Sequence, residues 1–253
     1  MTDVSARTID LDGFSAYRAV PPEGAPIKGG LVLVHEIWGL VEHIKDVAAR
    51  LAAQGYVVVA PDVLSHGGVT PQVGAELERL RESGDEEERT RLQPRMREAL
   101  TVANQPEYGA WAVGALRRVV DHLLTEPGVD GRVGVTGFCF GGSYTFALAA
   151  ADQRVRAAAP FYGAPPAATD YAGIACPVRA FYGREDPGLM EGLPQVEAGM
   201  REAGVDFEAT VYDGAGHAFF NDTNSRAYHA DAASDAWRRL LAFLDDALSR
   251  PAA

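Results

Sequence analysis

Cysteine is scarce. The 253 residues contain two, Cys139 and Cys176, too few for a disulfide framework to set the fold and in keeping with free thiols in a reducing compartment. Long apolar runs are missing too, so no segment reads as a membrane span. The opening residues, Met-Thr-Asp-Val-Ser-Ala-Arg, lack the basic start and apolar stretch of a secretory signal. A cytoplasmic protein is expected. Positive charge is in short supply, with 23 Lys and Arg against 35 Asp and Glu for a formal net charge of -12. Such an excess repels nucleic acid and anionic lipid at long range, which removes both from the expected partners. It also opposes an anionic small molecule, so a substrate carboxylate would need a local Arg to hold it.

What is present describes a folded chain. Hydrophobic residues make up 47% and charged residues 23%, with no low-complexity run. The length exceeds one average domain but is short for two, and the apolar positions are spread throughout, so residues 1–253 read as one domain. Arg7 to Leu11 and Ser15 to Val20 read as a hairpin around Asp12-Gly13-Phe14. Gly30 to His35 and Tyr56 to Ala60 are continuous apolar runs, as parallel strands covered on both faces require. Between them, Val41 to Gln54 carries apolar residues at helical spacing and stops at Gly55. Strand, helix and strand in so few residues describe a right-handed crossover.

Further strands are predicted at Val133 to Thr136, Val155 to Tyr162, Val178 to Tyr182 and Phe207 to Tyr212. Helices are predicted at Tyr108 to Leu124, from near Phe140, at Gly188 to Ala203 and at Ser225 to Leu248. This alternation implies an α/β fold, a mostly parallel doubly wound sheet with helices on both faces, whose site lies at the carboxyl ends of the strands. Residues 65–106 break the pattern. They are rich in Glu and Arg, and read either as solvated helices or as a cap or insertion beside the active site.

The chemistry gathers at predicted strand ends. Gly137-Phe138-Cys139-Phe140-Gly141-Gly142 lies between an apolar strand and an apolar helix, the arrangement of a nucleophile elbow. A nucleophile on so tight a turn has a strained backbone, and Gly137 and Gly141 leave room where strand and helix meet. The amino end of the following helix favours thiolate at Cys139. An acid follows the strand Val178 to Tyr182 in Gly183-Arg184-Glu185-Asp186; Asp186 is the better candidate, with Glu185 one position nearer the strand. After the last strand, Gly214-Ala215-Gly216-His217 places a histidine in a flexible loop. Cys139, Asp186 and His217 therefore occur in the order nucleophile, acid, histidine expected of this fold. His35, His66, His122 and His229 lack that combination of loop position and chain order. The amides of Ile37, in His35-Glu36-Ile37-Trp38-Gly39, and of Phe140 are placed to converge on an oxyanion. Glu36 is unexpected there, because an acid beside an oxyanion hole is costly unless paired or used.

At these residues the chain resembles the dienelactone hydrolase (carboxymethylenebutenolidase) family of the α/β-hydrolase superfamily. The resemblance runs from about Arg7 to Leu248, and rests on Gly-Phe-Cys-Phe-Gly-Gly, His-Glu-Ile-Trp-Gly and the Gly-His-Ala-Phe of Gly216 to Phe219. It implies a triad of Cys139, His217 and Asp186, with Glu36 holding the resting thiol and helping to deprotonate it when substrate binds. It also implies arginines that grip a substrate carboxylate, one of them four positions after the catalytic histidine. Here that position is Asn221, which cannot form the charge-assisted pair of a guanidinium. Arg79, Arg81, Arg184 and Arg226 are the candidates to compensate, and Trp38 and Asn221 complete the set of candidate substrate contacts.

The expected function is hydrolysis of a small carboxylic ester or lactone through a cysteine thioester, without metal or organic cofactor. A broad carboxylesterase acting on neutral esters is the alternative. A third reading, a non-catalytic redox-sensing or ligand-binding protein with Cys139 as an exposed low-pKa thiol, leaves the acid and histidine without a purpose.

Overall fold

The computed structural model describes residues 4–103 and 105–249. Its framework is an eight-stranded sheet in the order β1-β2-β4-β3-β5-β6-β7-β8. The strands are β1 (Ser5–Asp10), β2 (Ser15–Val20), β3 (Gly29–Val34), β4 (Tyr56–Pro61), β5 (Val133–Phe138), β6 (Val155–Phe161), β7 (Val178–Gly183) and β8 (Phe207–Tyr212). The hairpin β1–β2 turns at Asp12 and Gly13, both at positive φ, and β2 meets β4 antiparallel. All other pairings are parallel. This is the doubly wound α/β sheet expected from the alternation of apolar runs.

The helices are α1 (Glu42–Ala53), α2 (Val63–His66), α3 (Pro71–Glu82), α4 (Glu86–Thr90), α5 (Leu92–Ala99), α6 (Pro106–Thr125), α7 (Phe140–Ala151), α8 (Pro187–Glu202) and α9 (Ala230–Ser249). Helices α1 and α9 cover one face of the sheet, in one apolar cluster with Leu31 and Leu33 of β3; α6, α7 and α8 cover the other, in a cluster with Val32 and Val34. Alternate residues of a strand point to opposite faces, so a strand buried on both must be apolar throughout. Strands β3, β4 and β5 are buried at every residue for that reason. No helix among the described residues is long and apolar enough to cross a membrane.

Two consequences of the topology position the site. First, β3 has β4 on one side and β5 on the other. The chain leaves β3 through α1 toward β4 and reaches β5 only after α6, so the loops after β3 and β5 diverge and open a crevice at their carboxyl ends. Second, the intervening segment carries its own apolar cluster of Leu64, Val69, Leu77, Ala99, Tyr108 and Ala112, with Trp38 and Phe140 packed against it. Helix α3 lies tightly on Trp38: a Cβ on Gly74 would come 2.0 Å from the Trp38 carbonyl oxygen. Helix α4, by contrast, buries no residue.

One boundary departs from the sequence reading. Apolar spacing places the last helix from Ser225, whereas α9 starts at Ala230. The preceding residues make a turn instead, with the N–H groups of Ala227 and Tyr228 both on the Asn224 carbonyl and that of His229 on Phe219. His229 Nδ1 accepts the Ala232 N–H at 3.3 Å, occupying an otherwise unpaired donor of the first turn.

Candidate active site

Cys139 stands between β5 and α7 with φ 55 and ψ −112, a strained conformation for a residue with a side chain. The glycines around it explain how the turn closes. A Cβ on Gly137 would lie 2.4 Å from the Gly141 oxygen, one on Gly141 2.1 Å from the Val34 oxygen, and one on Gly142 2.4 Å from the Phe161 oxygen. Strand and helix touch backbone to backbone, and only glycine permits it. Gly142 belongs to the same device, a role the sequence reading gave to Gly137 and Gly141 alone.

His217 faces this turn. Its Nδ1 lies 2.6 Å from Asp186 Oδ2, and its Nε2 lies 3.1 Å from Cys139 Sγ. A carboxylate only accepts, so Nδ1 carries the proton and Nε2 presents its lone pair to the thiol. Asp186 is held in turn: its Oδ1 accepts the Leu189 N–H at the start of α8, while Glu185 is exposed. The sequence reading expects a flexible histidine loop, but the loop is pinned. Ala215 accepts the Glu185 N–H at 2.9 Å, and Phe219 and Phe220 are buried in the core. A Cβ on Gly183 would fall 2.4 Å from the Ala215 oxygen, so acid loop and histidine loop close on each other only because that residue is glycine.

The thiol is subject to opposing influences. The helix amino end favours thiolate, yet the Cys139 pKa is pushed up to about 12, by burial first and by the Glu36 charge second. Hydrogen bonds from the backbone N–H groups of Phe140 and Ile37 oppose the shift without cancelling it. These are the two amides that the elbow and the first central strand were expected to converge.

Glu36 is fully buried. Asn221 Nδ2 donates to its Oε2 at 2.6 Å and the Tyr162 hydroxyl donates to its Oε1 at 3.2 Å. Burial raises its pKa to about 7, against the pull of Asn221, the Arg81 charge and Tyr162. Asn221 has no freedom to turn, because its Oδ1 accepts both the N–H (3.1 Å) and the hydroxyl (2.7 Å) of Thr223. Tyr162 and Thr223 were missed in the sequence. Tyr162 follows the end of β6, next to the nucleophile strand, and that position at a carboxyl strand end was the available signal.

The candidate substrate contacts separate. Arg79 has its side chain 60% exposed and pairs with Glu88; Arg184 is 57% exposed and pairs with Asp213. Arg226 donates to the backbone oxygens of Arg81 and Ser83, and Asn221 is turned inward on Glu36. Arg81 differs. Its side chain is 10% exposed, its guanidinium lies 4.9 Å from the Trp38 ring centroid, and its charge acts on Glu36. It bonds Glu82 through Nε, while its buried Nη1 has no hydrogen-bond partner among the described residues.

A buried acid beside a cysteine–histidine–aspartate relay, on a doubly wound sheet, defines a hydrolase-type site of the α/β-hydrolase fold. The sequence model of the dienelactone hydrolase family matches residues 14–248, and the chain belongs to that family. It is 34% identical over 237 residues to a Methylorubrum extorquens protein named "Putative carboxymethylenebutenolidase", covering 89% of this chain and 74% of the relative. A Saccharolobus solfataricus protein of the same name is 31% identical over 258 residues, covering 93% and 95%. Among solved structures, a "Putative Dienelactone Hydrolase" from Klebsiella pneumoniae superposes with a TM-score of 0.77 at 27% identity, covering 96% of this chain and 98% of that one.

Proposed function

We propose that the protein hydrolyses a small carboxylic ester or lactone through a thioester on Cys139. The observation that carries this reading is the continuous relay Cys139 Sγ, His217 and Asp186 at 3.1 and 2.6 Å on a strained elbow. In the reaction the thiol gives its proton to a base, and sulfur attacks the carbonyl carbon. The ester C–O bond then breaks, and the leaving oxygen takes a proton from the His217 imidazolium. In a lactone that oxygen stays tethered to the acyl group. Water, deprotonated by His217, next attacks the thioester, the C–S bond breaks, and the thiol is restored. The Ile37 and Phe140 amides hold the negative oxygen in both tetrahedral steps.

Two carboxylates divide the acid–base work. Asp186 orients His217 and stabilises its cationic form. Glu36, with a pKa of about 7, helps to take the thiol proton once a substrate disturbs its hydrogen bonds to Asn221 and Tyr162; that proton passes to His217, whose imidazolium then protonates the leaving oxygen, which is how a thiol pushed up to about 12 is activated. Arg81, with its unpaired Nη1, is the anchor for a substrate carboxylate, and residues 65–106 form a cap that carries it within a single domain. The pairing of Arg79 and Arg184 elsewhere, and the neutral Asn221, favour a second reading in which the substrate is a neutral ester. Burial, which pushes the thiol pKa up, weighs against the redox-sensing reading, since a sensor needs a lowered thiol pKa. A cytoplasmic location belongs to the proposal.

The test is a panel of lactones and aryl esters, with and without a carboxylate, assayed on the wild type and on Cys139→Ala. Steady turnover that vanishes in the variant is expected. A folded Cys139→Ala that still turns over ester refutes the mechanism, and equal efficiency on acidic and neutral esters selects the second reading.

A further inference from the structure

We infer that His35 sets the oxyanion hole by holding the Glu36–Ile37 peptide, a positioning role that rests on the proposed hydrolysis at Cys139 and deepens it. His35 follows β3 and is fully buried. Its Nδ1 lies 2.8 Å from the Glu36 carbonyl oxygen. That oxygen only accepts, so Nδ1 donates and the tautomer is fixed. Nε2 is left as an acceptor, and it has no hydrogen-bond partner among the described residues. Burial lowers the pKa of the ring, which keeps it neutral.

The Glu36 oxygen also accepts the Gly39 N–H at 3.1 Å. Glu36 C=O and Ile37 N–H are opposite ends of one planar trans peptide. Two donors gripping the oxygen therefore fix the direction of the N–H, and that N–H is one of the two bonded to the Cys139 sulfur. Hydrogen bonds at a carbonyl also polarise the amide, so the same grip makes Ile37 a stronger donor to developing charge. The other donor belongs to Phe140, and the His35 ring lies nearly parallel to the Phe140 ring, centroids 5.9 Å apart at 6°. One buried ring thus braces both halves of the hole. A hydrophobic residue would fill the space without leaving a buried acceptor unpaired, which costs stability; what it would not supply is the Nδ1 donor.

Two substitutions separate donor from packing. His35→Phe keeps a flat ring against Phe140 and loses the donor, while His35→Asn keeps an N–H near the Nδ1 position and loses the ring. Circular dichroism and thermal melting establish which variants fold, and His35→Leu replaces the Phe variant if that one does not. The expected result for the donor-less variant is a kcat lower by about 10- to 100-fold with KM changed by less than about 2-fold, because a misaligned donor is felt mainly in the transition state. His35→Asn should recover most of the loss. Alkylation of Cys139 by iodoacetamide needs no oxyanion, but the Ile37 N–H also bonds the sulfur, so alkylation should slow by a smaller factor than kcat falls. A small aldehyde that adds reversibly to Cys139 does place an oxyanion in the hole, so its affinity should fall in parallel with kcat. That titration reads the hole even if no ester in the panel is turned over. An unchanged kcat and aldehyde affinity in the folded donor-less variant, or equal losses in the Asn variant, would overturn the role. Failure of the parent reading shows separately, as turnover that survives Cys139→Ala.

Discussion

The nucleophile elbow and the helical segment between β4 and α6 meet at one site, yet they are built on opposite plans. At the elbow, three glycines bring β5, α7, β3 and β6 into backbone contact, and a Cβ at any of them would fall within 2.4 Å of a carbonyl oxygen. The helical segment has a small apolar cluster on its inner side, but its outer side is written in charges: Arg79 on Glu88, Arg95 on Glu76 and Glu98, Arg91 on Glu87, most of them exposed. Backbone fit has no tolerance, whereas exposed ion pairs contribute little each and can be exchanged. Under the proposed hydrolysis, bond breaking would fall to the rigid part and choice of substrate to the adaptable part, with Arg81, buried against Trp38, where the second reaches the first.

The strongest test of this division lies in the relay. Cys139→Ala and His217→Ala should each lower kcat on the order of a million-fold, and Asp186→Asn by less, about ten-thousand-fold. Stopped assays on an aryl ester, with folding checked by circular dichroism, measure this; a folded His217→Ala with unaltered turnover would dissolve the relay. Gly141→Ala comes next. The Val34 carbonyl cannot yield as a side chain would, so a loss of about 3 kcal/mol or more in urea unfolding is expected. A loss under about 1 kcal/mol would mean the elbow is looser than its contacts imply.

On the helical side, Arg81→Gln should raise KM for carboxylate-bearing esters by about 10- to 100-fold and leave neutral esters within about 2-fold. Arg79→Gln should alter neither, its pair being exposed. Equal effects of Arg81→Gln on both substrate classes would remove it as the anchor. Smallest are the effects at Glu36. Unfolded, its carboxyl ionises near 4.5; folded, near about 7. Across that interval the native state keeps a proton that the unfolded chain has released, so the contribution of Glu36 to stability falls as pH rises. Glu36→Gln should therefore raise Tm relative to wild type at pH 8 more than at pH 4. It should also speed iodoacetamide alkylation of Cys139 and lower ester turnover several-fold, since repulsion of the thiolate and the second base are lost together. A difference in Tm that does not change with pH would show that Glu36 ionises freely.

The sequence carried the elbow, the acid and the histidine because each is local: glycines at fixed offsets, an acid just past a strand, a histidine past the last strand. The α/β alternation was legible for the same reason, as the buried parallel strands are apolar at most residues. Tyr162, Thr223 and the inward turn of Asn221 were not legible, since they depend on how the ends of β6 and the histidine loop pack on the loop after β3. The four arginines could not be ranked either, because burial at Arg81 follows from α3 lying on Trp38 and not from any feature of the Arg itself. The thiol is a mixed case: the helix amino end and the neighbouring Glu36 are readable from order along the chain, but the burial that outweighs the helix end is not.

The contact of Gly183 with the histidine loop has a consequence for how the molecule breathes. Acid and base ride on adjoining carboxyl ends of β7 and β8, bonded through Ala215, so the excursions that loosen the exposed helix α4 pass them by. Amide hydrogens in the histidine loop should exchange at the pace of the sheet, and those of α4 far sooner.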